Sequence, residues 1–331
     1  MATMMPPDLL PDDADLAALH PRLTDADPTV RRLALIELAE LEDDTHIPWL
    51  VAALSDPQPE VRAEAAGRLA YGESPDTVRA LLASLDDADD GVRAAAARSL
   101  TEIRLPESGR LLLDALGHSN AFVRSSVLHA LRELRLPESL TPALAAADDP
   151  EAPVRLAAVG VLGWLKHPDA LPVLTRLAEG DPAPDVRRAA VGALGLAPDD
   201  SVLPALLGAL RAPEWQIREE AATTLGKLRL GAALSDLISA LEDDYWQVRQ
   251  RVARTLGRLR DKRATPALVT FALGHSSANL RKEAAIALGE IGDPRALPDL
   301  ERAASDADPE VRKSARLALA GIRATTPSDT R

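Results

Sequence analysis

"DPEVRKSARLALAGI", residues 308–322, carries the pattern that decides the fold. Asp308 is a favourable N-cap and Pro309 suits the first helical position, so an α-helix is predicted to start here. If Val311 is position 0, Ala315 is position +4 and Leu319 is position +8. At about 100° per residue these three side chains fall on one stripe of the helix. The stretch is therefore expected to be an amphipathic helix with one buried side.

The same pattern recurs along the chain at an almost fixed interval. Ten copies of a Val-Arg pair, or a close variant, follow one another at spacings of 31 or 32 residues. Position 0 is always Val, Ile or Leu, position +4 is Ala or Val, and position +8 is Leu in every copy. A shorter helical stretch, such as "DPRALPDLERAAS" at residues 293–305, precedes each copy. The position-0 residues are Val30, Val61, Val92, Val123, Val154, Val186, Ile217, Val248, Leu280 and Val311.

Such a repeat predicts a solenoid, because one two-helix unit cannot bury its apolar stripe alone. The expected fold is an all-α solenoid of about ten two-helix repeats that form a curved superhelix. "ALGEIGDPRALPDLERAASDADPEVRKSA", residues 287–315, resembles the short HEAT repeat, of the variety also found in phycobilisome-lyase-like proteins. The resemblance implies that the second helix of each repeat lines the concave surface. We expect a flexible segment at residues 1–11, one solenoid at 12–324 and a flexible tail at 325–331.

Composition narrows the possible functions. The formal net charge of −13 argues against a general nucleic-acid binder, which needs a basic surface to neutralise phosphates. The absence of cysteine excludes disulfides, thiol catalysis and Cys-ligated metal sites. No apolar run approaches the roughly 18 residues of a membrane span, and the first residues lack the features of a secretion signal. The expectation is a cytoplasmic protein without a membrane partner.

An arginine follows position 0 in all ten copies, and an aspartate often stands five residues before position 0. This arrangement predicts ion pairs between turn aspartates and helical arginines along the solenoid, and so a role in stability. His118, Ala212 and His275 replace the aspartate, and the two histidines are expected to keep a polar side chain at that turn. The seven turn aspartates are Asp25, Asp56, Asp87, Asp149, Asp181, Asp243 and Asp306.

Positions −1, +2, +6 and +10 lie opposite the buried stripe, and we call the surface that they form on the second helices the open face. In the middle repeats it is predicted to carry an apolar floor followed by a basic strip. Gly160 and Gly192 in the floor suggest room for a partner to approach closely, because glycine inside a helix costs about 1 kcal/mol relative to alanine. The floor consists of Phe122, Leu156, Trp164 and Leu196, and the strip of Lys227, Arg254 and Arg258, with Arg251 nearby. His129 and Gln250 share the open face.

The tryptophans are the most distinctive side chains in a chain with few aromatic residues. Trp215 and Trp246 both stand at position −2, so they either form an aromatic lip beside the basic strip or each pack on the adjacent turn. Trp164 is favoured as a binding residue. Trp49 lies in a first helix and is predicted to belong to the convex surface, with no role in binding.

Three classes of function fit the pattern. The leading hypothesis is a non-enzymatic scaffold or adaptor without a cofactor, which binds a protein partner on the concave surface. An enzyme or an enzyme subunit with acidic groups is one expected partner. The resemblance to phycobilisome-lyase-like repeats implies an alternative, a bilin-lyase-like factor or a chaperone for another cofactor-containing enzyme. A HEAT-like enzyme is a remote alternative. Iron-binding deoxyhypusine hydroxylases use His-Glu pairs, which this chain lacks, and a DNA glycosylase needs a basic concave face.

Overall fold

The computed structural model describes residues 14–41, 44–72 and 74–325. The predicted flexible segment 1–11 lies outside the described residues, and so does the predicted tail 325–331 except for Thr325, which is the last residue of a helix. Within the described residues the chain forms twenty α-helices and no β-strand, which confirms the all-α prediction. The chain divides into two compact units, Met1–His167 and Pro168–Arg331. Each unit contains five helix pairs, stacked as the repeat pattern predicts.

The helices alternate between a shorter first helix and a longer second helix. The first helices are α1 (Ala14–Leu23), α3 (Ile47–Ala53), α5 (Pro75–Ser84), α7 (Pro106–Asp114), α9 (Leu140–Ala146), α11 (Leu171–Gly180), α13 (Leu203–Ala209), α15 (Leu234–Ser239), α17 (Thr265–Ala267) and α19 (Leu297–Ala303). The second helices are α2 (Pro28–Glu40), α4 (Pro59–Arg68), α6 (Asp90–Thr101), α8 (Ala121–Leu134), α10 (Ala152–Leu165), α12 (Pro184–Ala193), α14 (Trp215–Leu228), α16 (Trp246–Leu259), α18 (Ala278–Ile291) and α20 (Pro309–Thr325). A π-helical segment, Leu268–Leu273, continues α17.

Aspartates and prolines define where several second helices begin. The side chain of Asp308 accepts hydrogen bonds from the backbone N–H groups of Glu310, at 2.9 Å, and Val311, at 3.1 Å. Pro309 is the first residue of α20, where its missing N–H is not needed. Asp27 caps α2 in the same way. The N-cap predicted from the sequence is therefore confirmed.

The predicted stripe forms the core of both units. The side chains at position +4 are completely buried in all ten repeats, and the leucines at +8 are buried as well. Position 0 is buried in nine repeats, and Val30 in the first repeat is half-buried. Within each unit the second helices pack on one another in chain order, from α2 to α10 and from α12 to α20. Each repeat therefore uses its neighbour to remove its apolar stripe from water.

The repeated arginine joins one repeat to the next. Arg31 donates through Nε and Nη2 to the carboxylate of Asp56, which stands in the turn of the following repeat. Its Nη1 donates to the backbone carbonyl oxygens of Asp25 and Ala26 in its own turn. We call this arrangement an Arg–Asp bridge. The bridges of the described residues include Arg31–Asp56, Arg62–Asp87, Arg124–Asp149, Arg218–Asp243 and Arg281–Asp306.

His118 and His275, which replace the turn aspartate, keep one of its two contacts and lose the other. Nδ1 of His118 accepts the N–H of Asn120, and Nδ1 of His275 accepts the N–H of Ser277, as an aspartate at that turn does. The histidines therefore keep the turn, as expected. They offer no carboxylate to the preceding repeat, so Arg93 pairs instead with Asp90 of its own helix.

The prediction for Trp49 is wrong. This side chain is 2% exposed and belongs to the core of the first unit. The ring of His20 meets it edge to face, with the ring centres 5.6 Å apart. A tryptophan in a first helix can be covered by the preceding repeat, and here α1 supplies that cover. None of the described helices is both long enough and apolar enough to cross a membrane.

Candidate partner-binding face

Three large apolar side chains are exposed on the open face of the first unit. Phe122 at the start of α8 is 38% exposed, and Leu156 and Trp164 on α10 are 36% and 40% exposed. His129 on α8 is exposed on the same face. The core does not require these side chains, because its stripe lies on the other side of the same helices.

Cations from the preceding repeat cover part of both aromatic rings. The guanidinium of Arg135 lies 4.1 Å from the centre of the Trp164 ring, and that of Arg93 lies 5.9 Å from the centre of Phe122. Such contacts contribute about 0.5–1 kcal/mol at exposed sites. They also favour one orientation of each ring, because the cation occupies one of its faces. The uncovered part of Trp164 is thus available to a partner with little further loss of side-chain freedom.

The expectation of free space is wrong at Gly192, where a side chain of the next repeat already stands. A Cβ atom on Gly160 would lie 3.4 Å from Cδ of Arg132, and one on Gly192 would lie 2.8 Å from Oε1 of Glu220. The side chain of Glu220 therefore fills the space that the missing Cβ atom of Gly192 leaves. Burial raises the pKa of Glu220, consistent with its position between packed helices. Contact between repeats therefore limits the space at Gly192, whereas at Gly160 a Cβ atom would make only an ordinary contact with Arg132.

The predicted basic strip in the second unit is only partly free to meet a partner. Arg254 donates from Nε and Nη2 to both carboxylate oxygens of Glu283, at 2.8 Å each, and Glu283 is almost completely buried. Arg251 pairs with Glu219 at 2.9 Å. The sequence predicts that Arg254 faces the partner, but its charge is already used inside the chain. Lys227 and Arg258 are exposed and form no ion pair with the described residues.

Trp215 and Trp246, the two tryptophans at position −2, are not stacked on each other as a shared aromatic lip would require. Trp215 is half-buried and stacks on Tyr245 of the next repeat, with ring centres 5.6 Å apart and planes 15° apart. Arg218 lies above the same tyrosine ring at 5.6 Å. Trp215 therefore packs on the adjacent turn, one of the two arrangements that the sequence leaves open. Trp246 begins α16 and is half-buried, as are Gln250 on the same helix and Leu196 after α12.

Distance also separates the tryptophans from the cations. Trp215 and Lys227 stand at opposite ends of α14, and a twelve-residue separation along an α-helix spans about 18 Å. Trp215 and Lys227 are therefore not neighbours. Any partner that meets both must extend along the helix.

One cavity on the open face is not predicted by the sequence pattern. It has a volume of about 640 Å³ and lies between the second helices of the first three repeats. Arg32 and Arg98 line it, and Gly67 leaves open space where a Cβ would be. Small and charged residues give no apolar signal, so the pattern does not mark this region. Ala63 and Gly67, one turn apart at positions +2 and +6, are the available sign of a depression.

The described residues contain no group of three His, Asp or Glu side chains placed so that they could hold a metal ion.

Comparison with protein families gives a match along nearly all of the repeat region. A family model described as HEAT repeats matches residues 16–101, 78–155, 109–183, 140–226, 177–246 and 234–320. The match concerns HEAT repeats as a group, so the narrower resemblance to phycobilisome-lyase-like proteins stays a prediction. No curated protein matched the chain.

Solved structures show the same fold at low sequence identity. An engineered protein is 21% identical with a TM-score of 0.53, and the alignment covers 94% of this chain and 99% of that one. The Escherichia coli protein YibA is 22% identical with a TM-score of 0.57, covering 78% and 94%. Kap95p, the yeast importin-beta, in a complex with Nup1, is 16% identical with a TM-score of 0.64. That alignment covers 95% of this chain and 51% of Kap95p, so the chain spans about half of that protein.

Proposed function

Because the chain belongs to the HEAT-repeat family, we propose that it is a non-enzymatic scaffold that binds a protein partner on the open face of its second helices. The observation that carries the proposal is the exposure of Phe122, Leu156 and Trp164 on one face of the first unit. Large apolar side chains that are exposed on a face with polar surroundings mark interaction sites. Phe122 lies at the start of α8 and Trp164 near the end of α10, so the partner would extend along these helices.

The other repeats show which residues the fold accepts at the position that Trp164 occupies. Position +10, which Trp164 occupies, carries glutamate in three of the other four repeats of the first unit and tyrosine in the fourth, namely Glu40, Glu102, Glu133 and Tyr71. The helix pair therefore folds with a charged residue at this position. A tryptophan here has no task in the core, and tryptophan is among the residues that contribute most to binding energy in protein interfaces.

The exposed side chains of each unit, taken by itself, indicate the chemistry that a partner would need. Leu156 and the free part of Trp164 favour an apolar side chain, whereas the exposed cations Lys227 and Arg258 of the second unit favour acidic groups. Kap95p, which has the same fold, was crystallised with the protein Nup1. Binding of another protein is thus a use to which this fold is put.

Photo-crosslinking tests the proposal because it captures a partner whose identity is still open. p-Benzoylphenylalanine would replace Trp164 in one variant and Arg110, an exposed residue of the first helix α7, in a matched control. After irradiation in extract of the source cells, we expect one protein to be crosslinked at position 164 and absent at position 110. Its binding to the purified wild-type chain is then measured directly.

Two outcomes would overturn the proposal. Equal crosslinking from both positions would show that the open face of the first unit is not the binding surface. Crosslinking to no protein, together with an absorbance change when a bilin is added to the wild-type chain, would favour the lyase-like alternative instead.

A further inference from the structure

Four non-glycine residues of the described chain have a left-handed backbone, and all four are cations. They are Arg135, Lys166, Arg229 and Arg260, with φ angles of 53°, 53°, 52° and 56°. Each directly follows a second helix, at position +12 of its repeat, and each is exposed. Gly292 has the same backbone at the same position after α18. The position thus accepts glycine, but the chain places arginine or lysine there in four repeats.

This choice costs stability. In the left-handed region the Cβ of an L-residue crowds a carbonyl oxygen, which glycine avoids, and glycine is therefore the usual residue after a helix. A cation near the end of a helix interacts favourably with the helix dipole, but Lys227 and Arg258 already obtain that interaction from the last turns of α14 and α16. Strain that a chain retains can mark a side chain with a role of its own. Arg135 has such a role inside the chain, where its guanidinium lies over the ring of Trp164, and Arg229 and Arg260 have no corresponding ring contact among the described residues.

In the second unit two of these strained residues join two ordinary cations. Lys227 and Arg229 stand at the end of α14, and Arg258 and Arg260 stand at the end of α16, which packs beside it. All four are exposed, and none forms an ion pair with a carboxylate of the described residues. We call these four residues the cationic rim. It ends at the next repeat, where Glu290 and Gly292 hold the equivalent positions.

We propose that the cationic rim binds a short acidic segment of the protein partner, with carboxylates bridging the ends of α14 and α16. The inference rests on the proposed function and names the chemistry of part of the bound segment. Adjacent second helices pack about 8–10 Å apart, so the side chains of an extended acidic peptide can reach cations on both. The net charge of −13 and the neighbouring Glu290 oppose a long polyanion, whereas a short peptide contacts only the rim.

The test uses a fluorescein-labelled hexaglutamate peptide and fluorescence anisotropy, with hexaglutamine and a thymidine hexanucleotide as matched probes. The variant Lys227→Gln/Arg258→Gln removes two rim cations, and Lys313→Gln/Arg316→Gln removes two exposed cations of α20. We expect hexaglutamate to bind best of the three probes. The rim variant should bind it about tenfold more weakly, because each lost cation leaves a carboxylate unpaired, and the α20 variant should match the wild type.

A second variant separates binding from folding. Arg229→Gly/Arg260→Gly relieves two strained positions and should raise the thermal midpoint by about 2 °C while weakening hexaglutamate binding. Unchanged hexaglutamate affinity in both rim variants, or tighter binding of the hexanucleotide, would overturn the inference. Crosslinking at Trp164 in the first unit does not depend on the rim. If crosslinking at position 164 succeeds and hexaglutamate fails to bind, the inference about the rim is wrong and the proposed function stands. If hexaglutamate binds the rim and no protein is crosslinked at position 164, the open face of the first unit is rejected as the binding surface.

Discussion

Arg31 and Asp56, 25 residues apart in the chain, form a bidentate ion pair with nitrogen–oxygen distances of 2.7 Å and 2.8 Å. The two side chains are 7% and 3% exposed, so the pair is shielded from solvent. It ties the second helix of the first repeat to the turn of the second repeat. The same residues in other repeats do the same, which makes the Arg–Asp bridge a fixed part of the repeat contact.

We predict that Arg31→Ala lowers the free energy of unfolding by about 3 kcal/mol, because it leaves the buried carboxylate of Asp56 without its cation. Arg93→Ala is the matched control. Arg93 occupies the same repeat position, but its partner Asp90 is 90% exposed, and exposed pairs contribute about 0–1 kcal/mol. Urea unfolding of the two variants measures the difference. Equal losses would show that the bridge adds nothing beyond the backbone hydrogen bonds that both arginines make.

The bridges also predict how stability depends on pH. Hydrogen bonds from Arg62 hold the pKa of Asp87 below its usual value, and those from Arg281 do the same for Asp306. A carboxyl whose pKa is lower in the folded state stabilises the fold above its unfolded pKa of about 3.9. That contribution is lost as the pH falls from this value through the folded pKa.

We therefore expect the free energy of unfolding, measured in urea, to decrease below about pH 4. Asp87→Asn should remove part of that decrease, because the amide does not titrate. Asp76→Asn is the control, since Asp76 and Arg79 form an exposed pair that solvent screens. If the free energy of unfolding decreases equally below about pH 4 in the wild type and in Asp87→Asn, the Arg62–Asp87 bridge does not contribute to the pH dependence.

A missing bridge can be restored. His118 stands where other repeats place the bridging aspartate, and Arg93 of the preceding repeat has no carboxylate from that turn. We predict that His118→Asp raises the free energy of unfolding by about 1 kcal/mol, because the new carboxylate can accept from Arg93 and from the N–H of Asn120. Thermal unfolding of His118→Asp, measured with and without Arg93→Ala, tests whether the gain depends on the pair between positions 118 and 93.

Ala212→Asp is the control for that gain. Arg187, the arginine that would meet it, already donates to Glu214 at 2.6 Å. A new aspartate there has no free cation to pair with, so we expect little stabilisation. If Ala212→Asp stabilises as much as His118→Asp, the effect comes from the turn rather than from the bridge.

The fold was predictable because the apolar residues recur at the same helical positions in every repeat. The positions 0, +4 and +8 share one helix face in every copy, and burial of that face requires a neighbouring repeat. Single-helix geometry was also sufficient to place Phe122, Leu156 and Trp164 in solvent, since each stands opposite the buried stripe. The position of a residue along a helix fixes the direction in which its side chain leaves the helix axis, and that direction was enough for this prediction.

The remaining features depend on contacts between repeats, which the pattern of one helix does not contain. Glu283 reaches Arg254 from the following repeat, and Glu220 fills the space beside Gly192, because long side chains bend toward neighbours. The first helices are too short for their own buried face to be located, so Trp49 could not be placed. The left-handed positions after the second helices were also invisible, because arginine and lysine do not suggest such a backbone.

The final prediction compares the two tryptophans of the first unit, which differ in burial. Trp49 is 2% exposed and packs against His20, whereas Trp164 is 40% exposed and touches the guanidinium of Arg135. Trp49→Ala leaves a cavity in the core and should cost about 3–5 kcal/mol of unfolding free energy. Trp164→Ala loses mainly the contact with Arg135 and should cost about 1 kcal/mol or less.

Binding should rank the same two variants in the opposite order. For the protein crosslinked at position 164, Trp164→Ala should raise the dissociation constant at least about tenfold, because a tryptophan at an interface centre contributes about 2 kcal/mol or more. Trp49→Ala, studied at a temperature where it remains folded, should bind like the wild type, since its side chain does not reach the surface. Urea unfolding followed by circular dichroism and titration with the partner give the two rankings. If Trp164→Ala proves the less stable protein and binds normally, its ring serves the fold and the open face of the first unit is not the binding site.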